Sequence, residues 1–193
     1  MGRDFLNQSL KLKKEVLKKD FIHTKPFSHL VLPDFFNGVE EIKIAVEQEE
    51  MVREESDLFS FEQTKRLEEC SSPILKELYN WLNSEEVKQL IKELTGIEVK
   101  GKAEVSGYRY REYDYLLPHD DELAVRKIAF VINLSTLIKE EGGQLELFNG
   151  NNVVKQILPK KNMFILFEVS KRSIHQVAEV GKERLTISGW FTQ

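Results

Sequence analysis

Near residue 102 the spacing of apolar residues changes from the three-to-four step of a helix to alternation. That change confines the chain to a helix-rich first half and a strand-rich second half. KAEVSGYRYREY, RKIAFVINLS, GQLELFN, VVKQIL, NMFILFEV, SIHQVAEV and RLTISGWF are seven short strand-like runs, most of them separated by Gly, Asn, Pro or charged residues. A series of this kind predicts a sandwich or barrel of short antiparallel strands.

The first half supplies the support. PFSHLVLPDFF is rich in strand formers and predicts an early strand ending at Pro33. Asn37 is placed to cap a helix carrying Val39, Ile42 and Val46. Leu6, Leu10, Val16 and Leu17 form an imperfect apolar stripe along LNQSLKLKKEVLKK, as expected of a helix packed on its own domain. The acidic run EQEEMVREE reads as a solvated face. Ser72 before Pro73 starts a helix with Ile74, Leu75, Leu78, Tyr79 and Leu82 on one side. Ser84 restarts a helix through Val87, Leu90, Ile91 and Leu94, and Gly96 suits its left-handed end. Neither an internal repeat nor a low-complexity linker interrupts the chain. The expected architecture is α+β, mainly β: one domain over 1–193, with helices and an early strand in 1–100 buttressing a barrel-like core in 101–193.

Composition narrows the function classes. A net charge of −4 over 193 residues leaves no basic excess for general nucleic-acid binding. No apolar run approaches membrane-span length, and the charged N-terminus lacks the apolar core of a signal peptide. Cys70 is the only cysteine, which rules out an internal disulfide and fits a reducing cytoplasm.

LLPHDDEL gathers a histidine and two aspartates in a chain with four histidines. If this stretch ends a strand, His119 and Asp121 point the same way and Asp120 points elsewhere. His175, flanked by apolar residues in SIHQV, is the best third partner. Two imidazoles and a carboxylate on one face of an octahedral ion leave three positions open, the arrangement of non-haem iron(II) oxygenases. An HxD alone is commonly a solvated turn, and a lone strand histidine is commonly a hydrogen-bonded core residue. Arg184, nine residues after His175, shifts that balance. One tight turn and an adjacent antiparallel strand are expected to return it near the metal. A guanidinium inside an apolar barrel requires an anion. A dicarboxylate co-substrate meets that need, as does an internal partner among Glu168, Glu179 and Glu183.

HDDEL, GGQLELF, ILFEVS, IHQVAEV and RLTISGWF together resemble the 2-oxoglutarate- and iron(II)-dependent prolyl hydroxylases. The resemblance is strongest to the branch that hydroxylates a proline of a small-subunit ribosomal protein, whose opening strand PFSHLVLPDFF also resembles. It covers residues 22–193 and is densest from 108. It implies a double-stranded β-helix, a jelly-roll or cupin-like barrel. It also implies that His119, Asp121 and His175 hold Fe(II) and that Arg184 binds the distal carboxylate of 2-oxoglutarate. Tyr110 matches a tyrosine that touches the co-substrate in related hydroxylases, with Tyr108 in reserve. Thr186 would add a hydrogen bond to the carboxylate held by Arg184. Many relatives place a tyrosine where this chain has Asn133, a shorter donor.

The implied reaction is hydroxylation coupled to oxidative decarboxylation of 2-oxoglutarate, with O₂ consumed and ascorbate as an accessory reductant. The implied partner is a ribosomal or other translation protein with a target proline, without direct nucleic-acid or membrane contact. Glu112, Asp114, Asp120 and Glu122 predict an acidic mouth suited to a basic peptide. Eukaryotic members of the branch carry a second, silent barrel, whereas this sequence ends at Gln193, as a natural single-domain relative or a catalytic fragment would. The alternatives are a hydroxylase of a free amino acid or other small molecule and a non-catalytic barrel that binds without turnover.

Overall fold

Seven of the strands in the computed structural model coincide with the seven alternating runs, and four more join them in one curled antiparallel sheet. The structure describes residues 3–7 and 14–193. The strands are β1 (His29–Leu32), β2 (Met51–Ser56), β3 (Phe59–Arg66), β4 (Glu104–Tyr110), β5 (Tyr115–His119), β6 (Arg126–Asn133), β7 (Leu145–Asn149), β8 (Asn152–Ile157), β9 (Met163–Glu168), β10 (His175–Val177) and β11 (Arg184–Thr192). Their order is β1-β9-β6-β11-β4-β3-β5-β10-β7-β8, with β2 added beside β3. Among the described residues, no helix is long and apolar enough to cross a membrane.

Among the described residues, the α-helices are α1 (Lys14–His23), α2 (Val39–Gln48), α3 (Pro73–Leu82) and α4 (Glu85–Thr95). Ile42, Val46, Leu75, Leu78, Leu90 and Ile91 are buried, and they join Phe130, Phe164 and Ile187 of the sheet in the main core. Burying each such side chain stabilises the fold by about 2 kcal/mol. A second cluster, including Phe27, Val131, Leu145, Leu147 and Phe167, packs between the two arms of the sheet.

Several local expectations change. Leu6 lies in an isolated bridge to Phe36 rather than in a helix, and α1 is described over Lys14–His23. Leu10, from the same stripe, lies outside the described residues. Val16 is largely exposed. Asn37 does not cap α2; its amide donates to the Leu6 carbonyl, and a left-handed Gly38 opens the helix. Ser72 occupies the N-cap of α3 without a side-chain cap bond. Instead the Glu49 carboxylate accepts from the Ser71 and Ser72 amides. Ser84 does cap α4 through the Val87 amide at 3.3 Å, and Gly96 ends it at φ 79°.

The acidic run is also more than a solvated helix face. It leads into β2, whose pairing with β3 forms an exposed edge hairpin. Alternation is invisible there because water reaches both faces of β2.

Candidate active site

His119, Asp121 and His175 converge at one end of the barrel. Each offers a ligand atom, and the three atoms lie within 4.8 Å of one another. His175 pairs in register with His119 across β10 and β5, which sets the two rings 4.2 Å apart, centroid to centroid. The expected strand alternation stops short of Asp121. β5 ends at His119, and Asp121 sits at φ 61°, a left-handed conformation that aspartate tolerates better than most residues. This turn, rather than a two-residue repeat, directs its carboxylate toward the rings.

Hydrogen bonding orients both imidazoles. His119 Nδ1 lies 2.9 Å from the Leu117 carbonyl, and His175 Nδ1 lies 2.8 Å from the Ser173 carbonyl. A carbonyl only accepts, so both Nδ1 atoms carry hydrogen. In the neutral rings both Nε2 lone pairs then face Asp121, at 3.4 Å from Oδ1 and 3.3 Å from Oδ2. Two lone pairs aimed at a carboxylate repel it unless a cation stands between them. Without a cation, protons on the Nε2 atoms relieve that repulsion: burial works against the charged Asp121 carboxylate, yet hydrogen bonds from the protonated His119 and His175 rings outweigh it and hold the carboxyl well below its usual range. Burial likewise opposes charge on His119, and Asp121 outweighs it and raises the ring's pKa. The donor set and its orientation fit a divalent ion of the iron(II) type.

The second half of the site comes from β11 and its neighbours. Arg184 pairs in register with Tyr110, and Thr186 with both Tyr108 and Asn133, so all five side chains share one face of the sheet. Arg184 is 2% exposed and makes no ion pair among the described residues, which removes Glu168, Glu179 and Glu183 as partners. Glu183 instead faces Arg109 at 3.7 Å. Arg184 Nε, Thr186 Oγ1 and both amide atoms of Asn133 are buried without a hydrogen-bond partner. The guanidinium carbon lies 5.2 Å from the centre of the Tyr110 ring. Burial pushes the Arg184 pKa down, opposed by Tyr110, and lifts the Tyr110 hydroxyl to about 12. Gly143 leaves space for the arginine stem: its φ is 70°, and a Cβ there would stand 3.1 Å from Arg184 Cδ.

Arg184 does not arrive on a strand adjacent to β10, as the sequence spacing implied. β10 pairs with β5 and β7, whereas β11 pairs with β4 and β6. β10 and β11 thus lie in different arms, and Arg184 lines the same cavity as the metal-ligand set from the other side of the barrel.

A cavity of about 250 Å³ joins the two halves. Tyr108, Tyr110, His119, Asp121, His175 and Arg184 line it, as do Phe59, Phe61, Arg126 and Trp190, which sequence reasoning missed. The FSF alternation at 59–61 was a signal available for the first pair. The acidic-mouth expectation loses Asp114. That carboxylate is buried, receiving Arg53 on both oxygens and the Ser60 hydroxyl. Glu122 lies 3.8 Å from Lys171, while Glu112 stays exposed.

A curled antiparallel barrel with this donor set beside a buried, unpaired guanidinium defines a class. Residues 105–192 match the 2OG-Fe(II) oxygenase superfamily, which marks this region as a 2OG-Fe(II) oxygenase domain. Prolyl 3-hydroxylase OGFOD1 of Xenopus laevis is 35% identical over 179 residues, covering 86% of this chain and 35% of that protein. Prolyl 3-hydroxylase sudestada1 of Drosophila melanogaster is 32% identical over 191 residues, covering 88% of this chain and 35% of that protein. The chain thus spans about a third of the length of these curated relatives. Among solved structures, a Trichoplax adhaerens prolyl hydroxylase in complex with a hypoxia-inducible-factor peptide fragment superposes with a TM-score of 0.74. Its identity is 17%, and the match covers 96% of this chain and 93% of that one, a likeness of fold.

Proposed function

We propose that the protein hydroxylates a prolyl residue of a protein substrate, a ribosomal or other translation protein. In this reading His119, Asp121 and His175 hold iron(II). Arg184, Thr186 and Tyr110 receive the distal carboxylate of 2-oxoglutarate, with Asn133 beside them and Tyr108 in reserve. The observation that carries the co-substrate site is the buried guanidinium with no anion of its own, next to an equally unpartnered threonine hydroxyl. A carboxylate matches the paired N–H donors of such a group bidentately.

Bound iron(II) supplies the redox chemistry by which O₂ and 2-oxoglutarate oxidise an unactivated C–H bond. The protein's part is placement. The carbonyls of Leu117 and Ser173 keep both Nε2 atoms unprotonated for ligation. Arg184 fixes the far end of the keto diacid, so its reactive end meets the His-Asp-His set. Phe59, Phe61 and Phe167 line the cavity and exclude water.

The names of the relatives support prolyl hydroxylation, and the ribosomal target rests on the sequence resemblance. Phe59 and Phe61 join the second half of the chain in one cavity, which supports treating 1–193 as one catalytic domain. A cytoplasmic setting and use of ascorbate belong to the same proposal. The test is mass spectrometry of a translation-protein extract incubated with the enzyme, Fe(II) and 2-oxoglutarate. A gain of one oxygen on a proline, absent with Arg184→Met, is the expected result. Succinate release driven by a free amino acid, with no proline modified, would replace this reading with a small-molecule hydroxylase.

A further inference from the structure

The sheet that forms the barrel is not closed. β1 and β8 are its two ends in the strand order. Between these strands, among the described residues, one side-chain hydrogen bond crosses the seam: Lys155 Nζ lies 2.7 Å from His29 Nε2. His29 is 1% exposed, and its Nδ1 lies 2.8 Å from the Phe27 carbonyl. That carbonyl can only accept, so Nδ1 carries the hydrogen and Nε2 is left to accept from the lysine.

The register carries this contact to the metal-ligand set. In one arm, His175 lies opposite Leu147, and Leu147 lies opposite Lys155. In the other, His29 lies opposite Phe167. Cross-strand partners share a face, so these are two rows of inward side chains. At one end the rows meet through the Lys155–His29 bond. At the other they meet where the Phe167 ring packs edge-on against the His175 ring, with centroids 4.6 Å apart. Phe27 fills the angle, 6.0 Å from both His29 and Phe167. His175, Leu147, Lys155, His29 and Phe167 therefore form a closed loop through both arms. β10 is only three residues long and has an irregular register with β5, so its own ladder constrains the ligand little.

We propose that His29 and Lys155 latch the barrel seam and thereby hold the His175 ring, through Phe167 and Leu147, in its ligating position. They are positioning residues and touch neither metal nor substrate. The latch explains an otherwise costly choice: a lysine whose pKa is pushed down by burial, spent on a neutral histidine. This inference rests on the metal role of His175 given above.

The test is titration of the metal-free protein with Co(II), alongside thermal unfolding of the metal-free forms. Lys155→Met keeps the stem but loses the donor. It should bind Co(II) about 10-fold more weakly, the scale seen when groups supporting metal ligands are removed. Its metal-free melting point should stay near that of the wild type. His29→Gln retains an amide oxygen to accept from Lys155 and an NH₂ to donate to Phe27. It should keep Co(II) affinity close to that of the wild type. ¹⁵N imidazole shifts should report the Nδ1–H tautomer of His29 in the wild type and a changed Nε2 environment in Lys155→Met. Wild-type Co(II) affinity in Lys155→Met would overturn the latch. So would an affinity loss in Lys155→Met that merely follows a fall in melting point and is matched by an equal loss in His29→Gln. Equal Co(II) binding by wild type and His175→Ala would instead overturn the metal assignment on which the latch depends.

Discussion

At His119 and His175 the backbone decides the chemistry before any ion arrives. Each ring gives its Nδ1 hydrogen to a carbonyl two residues back and turns Nε2 toward Asp121. His175→Ala should therefore abolish metal binding at micromolar concentrations, measured by calorimetric titration with Mn(II). Arg184→Met should leave that binding intact and weaken 2-oxoglutarate roughly 100-fold, the loss of about two charge-assisted hydrogen bonds. Thr186 offers a finer test. Its hydroxyl is buried and unpartnered, so Thr186→Val should stabilise the ligand-free protein by about 1 kcal/mol. The same change should weaken 2-oxoglutarate severalfold; thermal unfolding and calorimetry read the two effects separately. The residue types and their spacing made His119, Asp121, His175 and Arg184 legible in the sequence. The positive φ of Asp121 was not, because no residue pattern demands a left-handed aspartate. Nor was the isolation of Arg184, since three nearby glutamates were equally available until the fold placed them elsewhere.

The β2–β3 hairpin shows why one element escaped the sequence. β2 is wet on both faces, so it lacks the alternation that exposed the other strands. Its anchor is an ion pair. Arg53 donates to both oxygens of Asp114 at 2.7 and 2.6 Å, and the Ser60 hydroxyl and Arg111 amide add two more hydrogen bonds. The pair ties the loop before β5 to the hairpin that supplies Phe59 and Phe61. Removing the cation leaves a buried carboxylate, so Arg53→Ala should cost about 3 kcal/mol in denaturant unfolding. Burial opposes ionisation of Asp114, but the bonds from Arg53 and Ser60 outweigh it and depress its pKa below 3.8. A depressed carboxyl stabilises the fold above its unfolded pKa and loses that contribution as pH falls through the folded value. Stability should thus decline below about pH 4, and Asp114→Asn should flatten that part of the stability–pH profile. β10 and β11 teach a related lesson. Both were readable as strands, but a nine-residue spacing says nothing of which arm each joins, and they pair in different ones.

For the whole molecule, the change of period near residue 102 and the seven alternating runs were sufficient to indicate a mainly β barrel with helical support. Strand order and seam contacts were beyond reach, because they depend on pairings between residues far apart in the chain. The central claim is that the His-Asp-His set and Arg184 act as one site, gripping opposite ends of the same keto diacid. Calorimetric titration of 2-oxoglutarate into the protein with and without Mn(II) tests it most directly. The account predicts binding that is tight only with the metal present, and that is weakened by Arg184→Met and lost with His175→Ala. Binding of equal strength without metal, or unaffected by Arg184→Met, would contradict it.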